Sequence, residues 1–429
     1  MMIFYNIFST LAALAVLPLF TLYSLATRRK RRGLAHHFGL IPSFQTSGKK
    51  ILWLYAISRG EVKAAAPVLK RIREERPDIF LLVSVTTDSG FDAAQDCLPF
   101  ANQIVFHPLD CWPFVALAVK RIQPDLFVVT DTGFWPGLIN FLRQRQTPMI
   151  LFNGRLSQKS IRRYKSVGPL FSSTFKKFDA LCMQNSQSRE AVIDFGVNAS
   201  RVRINADPKL ETLAKVGHQD RERIRRELGI LEDDLVWVAG SVHQGEENIL
   251  LDAYQKLKSD HPKLRLVLAP RRLERIQGIE TLITGIKLSC VRRSNIKEGD
   301  AQSKDVILLD SMGELADIYS IADITFVGRS LISPGGGHSL LEPVVQGKVV
   351  IHGPYVENVQ ETAEKLEKAG VGFTVKDTWE MAAVIDELLK NEARRKELSQ
   401  KALAFIESET QDRPSRPMAD LILGYINKT

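Results

Sequence analysis

The feature that most constrains the fold is a repeated alternation of short apolar runs with longer segments that carry apolar residues on one side. Runs such as Ile51–Ile57, Phe80–Thr86 and Leu126–Thr130 are typical of buried strands, and Glu61–Glu75 is typical of an amphipathic helix. Strands joined through helices pair in parallel, because each crossover returns the chain to the same end of the sheet. The sequence therefore predicts an α/β fold in which helices cover both faces of a parallel sheet.

The alternation occurs twice along the chain. It pauses at a charged stretch, Arg221–Glu227, and starts again at the predicted strand Leu235–Ala239. A chain of 429 residues is also too long for one hydrophobic core. We therefore expect an N-terminal domain at residues 33–215 and a C-terminal domain at residues 216–400. Residues 401–429 are predicted as a C-terminal helix that could pack back on the N-terminal domain.

The first 32 residues predict a membrane anchor with a basic end. Ile3–Ala26 carries no charge and is long enough to span a bilayer. Five basic residues, Arg28–Arg32, follow it, whereas a cleaved signal peptide has its positive charges before the apolar run. The positive-inside rule places the rest of the chain in the cytoplasm, and the basic run suits anionic phospholipid. We expect an anchor that either spans the membrane or lies along it.

The chain is basic, with a net charge of +9. Such a charge suits nucleic acid, anionic lipid or a phosphorylated substrate. The sequence has no zinc-finger spacing, helix-turn-helix signature or RNA-binding motif, so we expect no nucleic-acid partner. Its four cysteines lie apart without a C-x-x-C pair, which argues against a disulfide framework or a zinc site and fits a reducing compartment.

Polar residues follow several predicted strands, at the edge where α/β sheets bind ligands. In the first half they form three clusters: Ser58-Arg59-Gly60-Glu61, Thr130-Asp131-Thr132 and Asn153-Gly154-Arg155-Leu156-Ser157. Glu61 has two interpretations, because Ser58-x-x-Glu61 is a capping-box pattern and a carboxylate at this edge can also act as a general base. Asp131 is likewise either the N-cap of a helix predicted at Trp135–Arg145 or a second acid.

The second half repeats this arrangement with residues suited to an anion. Polar turns follow its predicted strands at Gly240–Glu247, Pro270–Arg272 and Asp310–Glu314. The planar guanidinium group of Arg271 suits a nucleotide base edge or a phosphate, with an ordinary surface turn as the alternative.

The glycine-rich stretch Gly328–Glu361 predicts a phosphate site. After a strand at Asp323–Val327, the glycines Gly335–Gly337 allow a sharp turn and a close approach to a ligand. We expect a helix at His338–Gln346, whose N-terminus would offer free N–H groups to an anion, and then a strand at Val349–His352. A loop without a ligand is the alternative, and the surrounding polar residues favour a site: His338, Glu342, Asn358 and Glu361.

Taken in order and spacing, these segments resemble the bacterial 3-deoxy-D-manno-octulosonic acid (Kdo) transferases over nearly the whole chain. The matching segments are Ser58–Glu61 with Ala64–Pro67, Phe134–Pro136, Asn153–Ser157 with Arg163-Tyr164, Gly240-Ser241 with His243 and Gly245–Glu247, Pro270-Arg271 with Glu274-Arg275, Met312–Leu315, Gly336–His338 with Leu341–Pro343, and Gly353-Pro354 with Asn358 and Glu361.

The resemblance implies a GT-B fold, in which two Rossmann-like domains face each other across a cleft, preceded by a membrane-anchor helix. It implies an inverting glycosyltransferase that moves Kdo from CMP-Kdo to a lipid A precursor, lipid IVA, in lipopolysaccharide core biosynthesis. The enzyme would act at the bacterial inner membrane with its catalytic domains on the cytoplasmic face, in contact with anionic phospholipid. No metal or other cofactor is implied.

The resemblance also assigns roles to residues. Glu61 would deprotonate the acceptor hydroxyl, and Asp131, which stands where the motif E-T-E-x-W-P-N has its first acid, would be a further catalytic residue. The acceptor-side residues would be Ser58, Arg59, Gly60, Arg155 and Arg163. The donor-site residues would be Ser241, His243, Arg271, Met312, Gly313, Glu314, Gly336, Gly337, His338, Glu342, Asn358 and Glu361.

The chain departs from the family pattern on the acceptor side. Where the family has E-T-E-x-W-P-N, this chain has Gly133 in place of the second acid and Gly137 in place of the asparagine. The family's G-N-x-K is Ala206–Lys209 here. Two alternatives follow: a divergent paralogue with another acceptor or sugar, and a member that binds nucleotide or lipid without catalysis. A nucleotide-sugar 2-epimerase is argued against by the predicted anchor, since a soluble sugar nucleotide needs no membrane.

Overall fold

The structure, a computed structural model, describes residues 4–13, 32–133, 135–156, 158–166, 168–213, 215–296, 304–411 and 413–429, with the backbone alone at residues 158 and 159. Residues 4–13 form helix α1. Within these ranges no helix combines the length and the apolar character needed to cross a membrane. Most of the predicted anchor, including residues 14–26, lies outside the described residues, so the anchor stays a prediction.

The chain divides into two compact units, Met1–Thr212 together with Asp412–Thr429, and Leu213–Gln411. We call them the N-terminal and C-terminal domains. Each contains a parallel seven-stranded sheet with helices on its faces. The prediction of two Rossmann-like α/β domains is therefore confirmed, and the predicted cleft stays a prediction.

The N-terminal sheet has the strand order β3-β2-β1-β4-β5-β6-β7. Its strands are β1 Ile51–Ala56, β2 Phe80–Val85, β3 Gln103–Phe106, β4 Leu126–Thr130, β5 Met149–Gly154, β6 Ala180–Met183 and β7 Val202–Ile204. Its further helices are α2 Leu34–His37, α3 Arg59–Glu75, α4 Asp88–Cys97, α5 Trp112–Ile122, α6 Pro136–Gln144, α7 Gln158–Ser166, α8 Gly168–Phe175 and α9 Ser186–Asp194, with 3₁₀ turns at Ala199–Arg201 and Pro208–Thr212.

Strand β1 shows why this sheet is buried on both faces. All six of its residues are buried. Trp53 and Tyr55 belong to one hydrophobic core, and Leu52 and Leu54 belong to a second one. Because successive side chains of a strand point to opposite faces, the two cores lie on opposite sides of the sheet. This explains why the strand is an uninterrupted apolar run in the sequence.

The C-terminal sheet has the strand order β10-β11-β9-β8-β12-β13-β14. Its strands are β8 Leu235–Val242, β9 Leu264–Pro270, β10 Cys290–Arg292, β11 Val306–Leu308, β12 Ile324–Val327, β13 Val350–His352 and β14 Gly372–Thr374. Its helices are α10 His218–Glu227, α11 Glu246–Lys258, α12 Ile276–Gly285, α13 Leu315–Ile318, α14 Leu341–Val345, α15 Gln360–Lys368, α16 Thr378–Lys390 and α17 Glu392–Thr410, with 3₁₀ turns at Leu273–Arg275, Arg293–Asn295 and Tyr319–Ile321.

The last helix, α18 (Ser415–Ile426), belongs to the N-terminal domain. Its residues Met418, Ile422 and Ile426 are buried in the core that contains Leu52 and Leu54 of β1. The Ser415 N–H and hydroxyl groups both donate to the Glu211 carboxylate, at 2.6 and 2.8 Å. The segment predicted as one C-terminal unit is thus divided, because α17 stays with the C-terminal domain.

One predicted element is wrong. The helix expected at His338–Gln346 is the shorter α14, which begins at Leu341, and residues 335–339 have no regular structure. His338 therefore does not lie at a helix N-terminus, and the expected anion site of that kind is absent there. The residues of this loop contribute side chains and positive-φ glycines instead.

Candidate active site

The strand order of the N-terminal sheet brings two predicted acids to one place. The order reverses at β1, which pairs with β2 on one side and β4 on the other. In an open α/β sheet the crevice beyond such a switch point is where ligands bind. Glu61 lies in the first turn of the helix after β1, and Asp131 directly follows β4.

Glu61 is a half-buried carboxylate with an elevated pKa. Its Oε2 accepts a 2.5 Å hydrogen bond from the Ile57 N–H, and its Oε1 lies 3.3 Å from the Ser58 hydroxyl. Burial raises the pKa of Glu61 to about 7, and the negative charge of Asp131 adds to the rise against these hydrogen bonds. Ser58 is the N-cap residue, but its side chain makes no cap hydrogen bond. Glu61 thus stabilises the loop before α3 by accepting the Ile57 N–H, and its carboxyl group can also exchange a proton near neutral pH.

The loop after β4 holds Asp131 in an unusual conformation. Asp131 has a positive φ of 66°, and its Oδ1 accepts hydrogen bonds from the N–H and hydroxyl groups of Thr132, at 2.6 and 3.2 Å. Asp131 is not the N-cap of α6. That role falls to Asp110, whose two carboxylate oxygens accept from the N–H groups of Gly137 and Leu138 at 2.8 and 2.7 Å.

The two glycines that replace family residues have their space already filled. A Cβ atom at Gly133 would lie 1.9 Å from Cδ1 of Ile57. A Cβ atom at Gly137 would lie 2.6 Å from the Asp110 carboxylate. The missing acid and asparagine therefore leave no hole, because neighbouring side chains occupy their places.

A buried network of aromatic and polar side chains adjoins this site. The Trp135 indole N–H donates to the Tyr55 hydroxyl, which also lies 3.0 Å from the Thr86 hydroxyl. The Tyr55 ring stacks on His107 with a centroid distance of 3.7 Å. Burial raises the pKa of Tyr55 to about 12, and burial lowers the pKa of His107 well below its usual value. Both groups are therefore neutral at physiological pH and form a buried polar layer next to the site.

The predicted acceptor-side residues near Glu61 and Asp131 are mostly exposed. Arg59 and Gly60 are exposed in the first turn of α3. Arg155 is exposed, and its carbonyl accepts a 2.9 Å hydrogen bond from the Thr132 hydroxyl, which ties the β5 loop to the β4 loop. Arg163 is exposed on α7, beside Tyr164, whose hydroxyl lies 3.4 Å from the Thr132 carbonyl.

Asp207 joins the same cluster from the loop after β7. Burial raises the pKa of Asp207, and Asp131 acts in the same direction, while Lys209 and Arg155 oppose the rise. Asp207 also accepts hydrogen bonds from the Lys209 N–H at 2.9 Å and from the Gln184 amide at 3.4 Å. The N-terminal site is thus an acidic centre with arginines at its exposed edge.

The C-terminal sheet has its own switch point between β8 and β12. One buried carboxylate fixes the two loops that follow these strands. Glu246 is 1% exposed and accepts hydrogen bonds of 2.8 to 2.9 Å from the N–H groups of His243, Arg329, Ser330 and Leu331. Because this single side chain holds both loops, it sets the positions of His243 and Arg329.

Two histidines meet in this pocket. The Nε2 atoms of His243 and His338 lie 2.9 Å apart, and both residues are partly exposed. Burial lowers the pKa of His338 to about 4, helped by the charges of Arg271 and Arg329. The pKa of His243 is lowered by burial and by the same arginines together with Arg272, against the charge of Glu246. The pocket is therefore positively charged around a neutral imidazole pair.

The glycine loop closes on this pocket. Gly336 and Gly337 have φ angles of 117° and 75°. The Gly337 N–H donates to the Arg329 carbonyl at 2.8 Å, and the Asn358 N–H donates to the Gly336 carbonyl at 2.8 Å. A Cβ atom at Gly336 would lie 2.3 Å from Nδ2 of Asn358. The loop thus brings His338, Arg329 and Asn358 together.

The other predicted donor residues have different local surroundings. Ser241, with a φ of 56°, lies at the end of β8. Burial, and to a smaller extent the charge of Glu342, raises the pKa of Tyr319, whose hydroxyl faces Gly240. Glu314 pairs with Arg293 at 3.2 Å. Three further residues have surroundings of their own: Met312 is exposed, Gly313 has a φ of 99°, and Glu361 pairs with Lys365 at 3.7 Å.

Sequence reasoning missed several residues of the two sites. Arg329 lies two positions after the end of β12, so the rule that ligand residues follow strands would have found it. Glu246 lies in the predicted polar turn Gly240–Glu247, but nothing in the sequence showed that it holds a second loop. Asp110 gave no signal at all, because a carboxylate that accepts distant backbone N–H groups has no local pattern. Tyr55 lies inside a buried apolar run, where a tyrosine is commonly a core residue.

Comparison with known proteins gives consistent matches along the chain. Residues 32–212 match the family model described as 3-deoxy-D-manno-octulosonic-acid transferase (kdotransferase), and residues 220–405 match the model described as glycosyl transferases group 1. The chain is 28% identical over 386 residues to the 3-deoxy-D-manno-octulosonic acid transferase of Haemophilus influenzae, covering 88% of each chain. It is 33% identical over 349 residues to a bifunctional glycosyltransferase/methyltransferase of Fusobacterium nucleatum, covering 80% of this chain but only 53% of that relative.

Among solved structures, HepE of Anabaena in complex with UDP and glucose is similar with a TM-score of 0.61 and 15% identity, covering 89% of this chain and 100% of the other. At this identity the likeness concerns the fold alone. The two family matches, on two Rossmann-like domains with a polar site at each switch point, identify a glycosyltransferase. Residues 32–212 belong to the 3-deoxy-D-manno-octulosonic acid (Kdo) transferase family, as the sequence motifs predicted, and the chain as a whole is similar to Kdo transferases.

Proposed function

We propose that this protein is an inverting transferase that moves Kdo from CMP-Kdo to a lipid A precursor, lipid IVA, in lipopolysaccharide biosynthesis. Kdo transfer follows from the family, and the donor and the acceptor are the proposed part. The observation that carries the proposal is Glu61, a carboxylate with a pKa of about 7 at the switch point of the N-terminal sheet.

In the proposed reaction Glu61 takes the proton of the acceptor hydroxyl as that oxygen attacks the anomeric carbon of Kdo. A general base is most effective when its pKa is near the working pH, and an ordinary glutamate would be too weak a base there. Asp131 contributes by keeping the pKa of Glu61 high. In this proposal the exposed Arg155 and Arg163 bind the phosphate groups of a lipid A precursor.

On the donor side the leaving group is CMP, whose phosphate gains negative charge as the bond breaks. Arg271, Arg272 and Arg329 act electrostatically on the histidine pair, and none of the three forms an ion pair among the described residues. Free guanidinium groups in a partly buried pocket stabilise such a developing charge. We therefore propose transfer without a metal ion, which predicts that a chelator leaves the activity unchanged.

We further propose that the protein works at the cytoplasmic face of the bacterial inner membrane, on anionic phospholipid. Helix α1 supports this, because its apolar residues Phe4, Ile7, Phe8 and Leu11 are 52 to 76% exposed. Their spacing of three and four residues places them on one face of the helix. An exposed apolar face of this kind suits the lipid interface, where the acceptor also lies.

The test is product analysis by mass spectrometry with the full-length protein in detergent, CMP-Kdo and lipid IVA. We expect the acceptor to gain the mass of one or more Kdo residues, with the loss of product in Glu61→Gln. Asp96→Asn, an exposed change on α4, is the matched control and should keep full activity. No mass gain with folded protein that binds CMP would contradict the acceptor and favour a divergent or inactive member.

A further inference from the structure

We propose that His243 and His338 act as one proton-binding unit that takes up a proton when the phosphate monoester of CMP binds. The inference rests on the proposed function, because it concerns the leaving nucleotide of that reaction. It assigns to the pair a role beyond hydrogen bonding: the pocket neutralises the departing phosphate with a proton as well as with arginine charge.

When both rings are neutral, the geometry requires a single hydrogen atom between the two Nε2 atoms. With Nε2 atoms 2.9 Å apart, one imidazole must donate its Nε2–H and the other must accept with its Nε2 lone pair. An added proton then enters at Nδ1 of the donating ring. The resulting imidazolium keeps the same hydrogen bond, now charge-assisted and stronger. The pair therefore binds one extra proton without moving either ring.

The positions of the two rings are fixed by separate parts of the fold. His243 is held by its N–H bond to the buried carboxylate of Glu246. His338 follows the glycine loop, in which the Gly337 N–H donates to the Arg329 carbonyl. The same Glu246 carboxylate accepts from the Arg329 N–H, so one buried group anchors both sides of the pair.

The empty pocket disfavours the extra proton. The charged groups that act on the pair are Arg271, Arg272 and Arg329, which oppose protonation, and Glu246, which favours it at His243. Glu246 shares its charge with four backbone N–H groups, so its effect is weak beside three cations. Burial acts in the same direction as the arginines. Both imidazoles are thus neutral near pH 7 in the free protein.

A bound phosphate reverses this balance. CMP-Kdo carries one negative charge on its phosphodiester group, and CMP carries about two after the bond to Kdo breaks. In that step the acceptor oxygen forms its bond to the anomeric carbon, the bond from that carbon to the phosphate oxygen breaks, and the electron pair stays on the phosphate. The acceptor proton goes to Glu61, and the proton on the histidine pair comes from water. The dianion compensates the arginines and so raises the proton affinity of the pair.

Proton uptake by the pair determines how the CMP affinity changes with pH. Because binding of CMP raises the pKa of the pair, the extra affinity is fully present below the pKa of the free pair and is lost as the pH rises through the pKa of the complex. For one linked proton the CMP affinity falls at most about tenfold per pH unit over that window. Cytidine, which lacks the phosphate, should show no such dependence.

The test is calorimetric titration of CMP and of cytidine into the full-length protein between about pH 6 and 8.5, in buffers of different ionisation enthalpy. The difference between buffers gives the number of protons taken up. CMP itself titrates near pH 6, so the contribution of the pair is the uptake by the wild type minus that by His338→Gln. We expect up to one proton from this difference, and the same loss in His243→Gln.

His218→Gln is the matched control, because His218 is an exposed histidine on α10 in the same domain. It should retain the wild-type proton uptake. Equal uptake in the wild type and in both pair variants would overturn the inference while leaving the proposed function intact. If CMP does not bind but another nucleoside monophosphate binds with proton uptake, the donor assignment fails and the inference about the pair stands.

Discussion

The hydroxyl group of Tyr5 donates a 2.7 Å hydrogen bond to the carboxylate of Asp110. Asp110 also caps helix α6 through the N–H groups of Gly137 and Leu138. A second contact, from the Cys111 thiol to the Thr10 hydroxyl at 3.6 Å, joins the same two segments. The helix with the exposed apolar face is therefore attached to the end of the sheet where Asp131 and Trp135 lie.

Replacing Asp110 should destabilise the N-terminal domain. Asp110→Ala removes the acceptor of two backbone N–H groups and one hydroxyl, and should lower the free energy of unfolding by about 2–4 kcal/mol. Tyr5→Phe, which removes one of these donors, should cost about 1 kcal/mol. Urea unfolding followed by tryptophan fluorescence measures both. A change in Asp110→Ala no larger than in the exposed control Asp96→Ala would refute the capping role.

The pH dependence of transfer should report the environment of Glu61. The carboxylate must be ionised to accept a proton, so kcat/KM should fall about tenfold per pH unit below the pKa of about 7. Asp131→Asn removes a charge that raises this pKa, so the fall should move to lower pH. Burial, the larger cause, remains, and the midpoint should stay above that of an ordinary glutamate. An unchanged midpoint in Asp131→Asn would show that the two carboxylates are not coupled.

Glu246 should be essential for the donor site. In Glu246→Gln an amide group would face N–H donors in a buried position, which leaves some of them without an acceptor. We expect a loss of about 3 kcal/mol or more in stability and at least about a tenfold loss of CMP affinity, since His243 and Arg329 both lose their anchor. Thermal unfolding and CMP titration measure these effects. Glu232→Gln, an exposed change in the same domain, serves as the comparison and should match the wild type.

Gly336 should tolerate no side chain. Its φ of 117° is unfavourable for other residues, and a Cβ atom would collide with Nδ2 of Asn358. Gly336→Ala should therefore displace the loop and weaken CMP binding by about tenfold or more. Gly278→Ala, in helix α12 with open space around it, should leave binding unchanged and stabilise the helix by about 1 kcal/mol. Similar CMP affinities in the two variants would mean that the loop does not shape the nucleotide site.

Much of the site could be predicted because catalytic residues of α/β sheets follow strands. Glu61, Asp131, His243 and Arg271 were all found from their places after apolar runs, and each lies at the expected edge of its sheet. The helix expected at His338 was wrong because tri-glycine and a following apolar run do not fix where a helix begins. The helix begins at Leu341, four positions after Gly337, the last glycine of the loop.

The sequence by itself determined the order of strands and helices, the two-domain division and the residues at the carboxyl ends of strands. These properties depend on the periodicity of apolar residues, which is local and can be recognised without knowledge of the fold. The tertiary structure alone decided which polar groups meet and how they are charged. His243 and His338 lie 95 positions apart, and Tyr5 and Asp110 lie 105 apart. Their proximity depends on strand order, and the pKa of Glu61 depends on burial, so neither can be read from neighbouring residues in the chain.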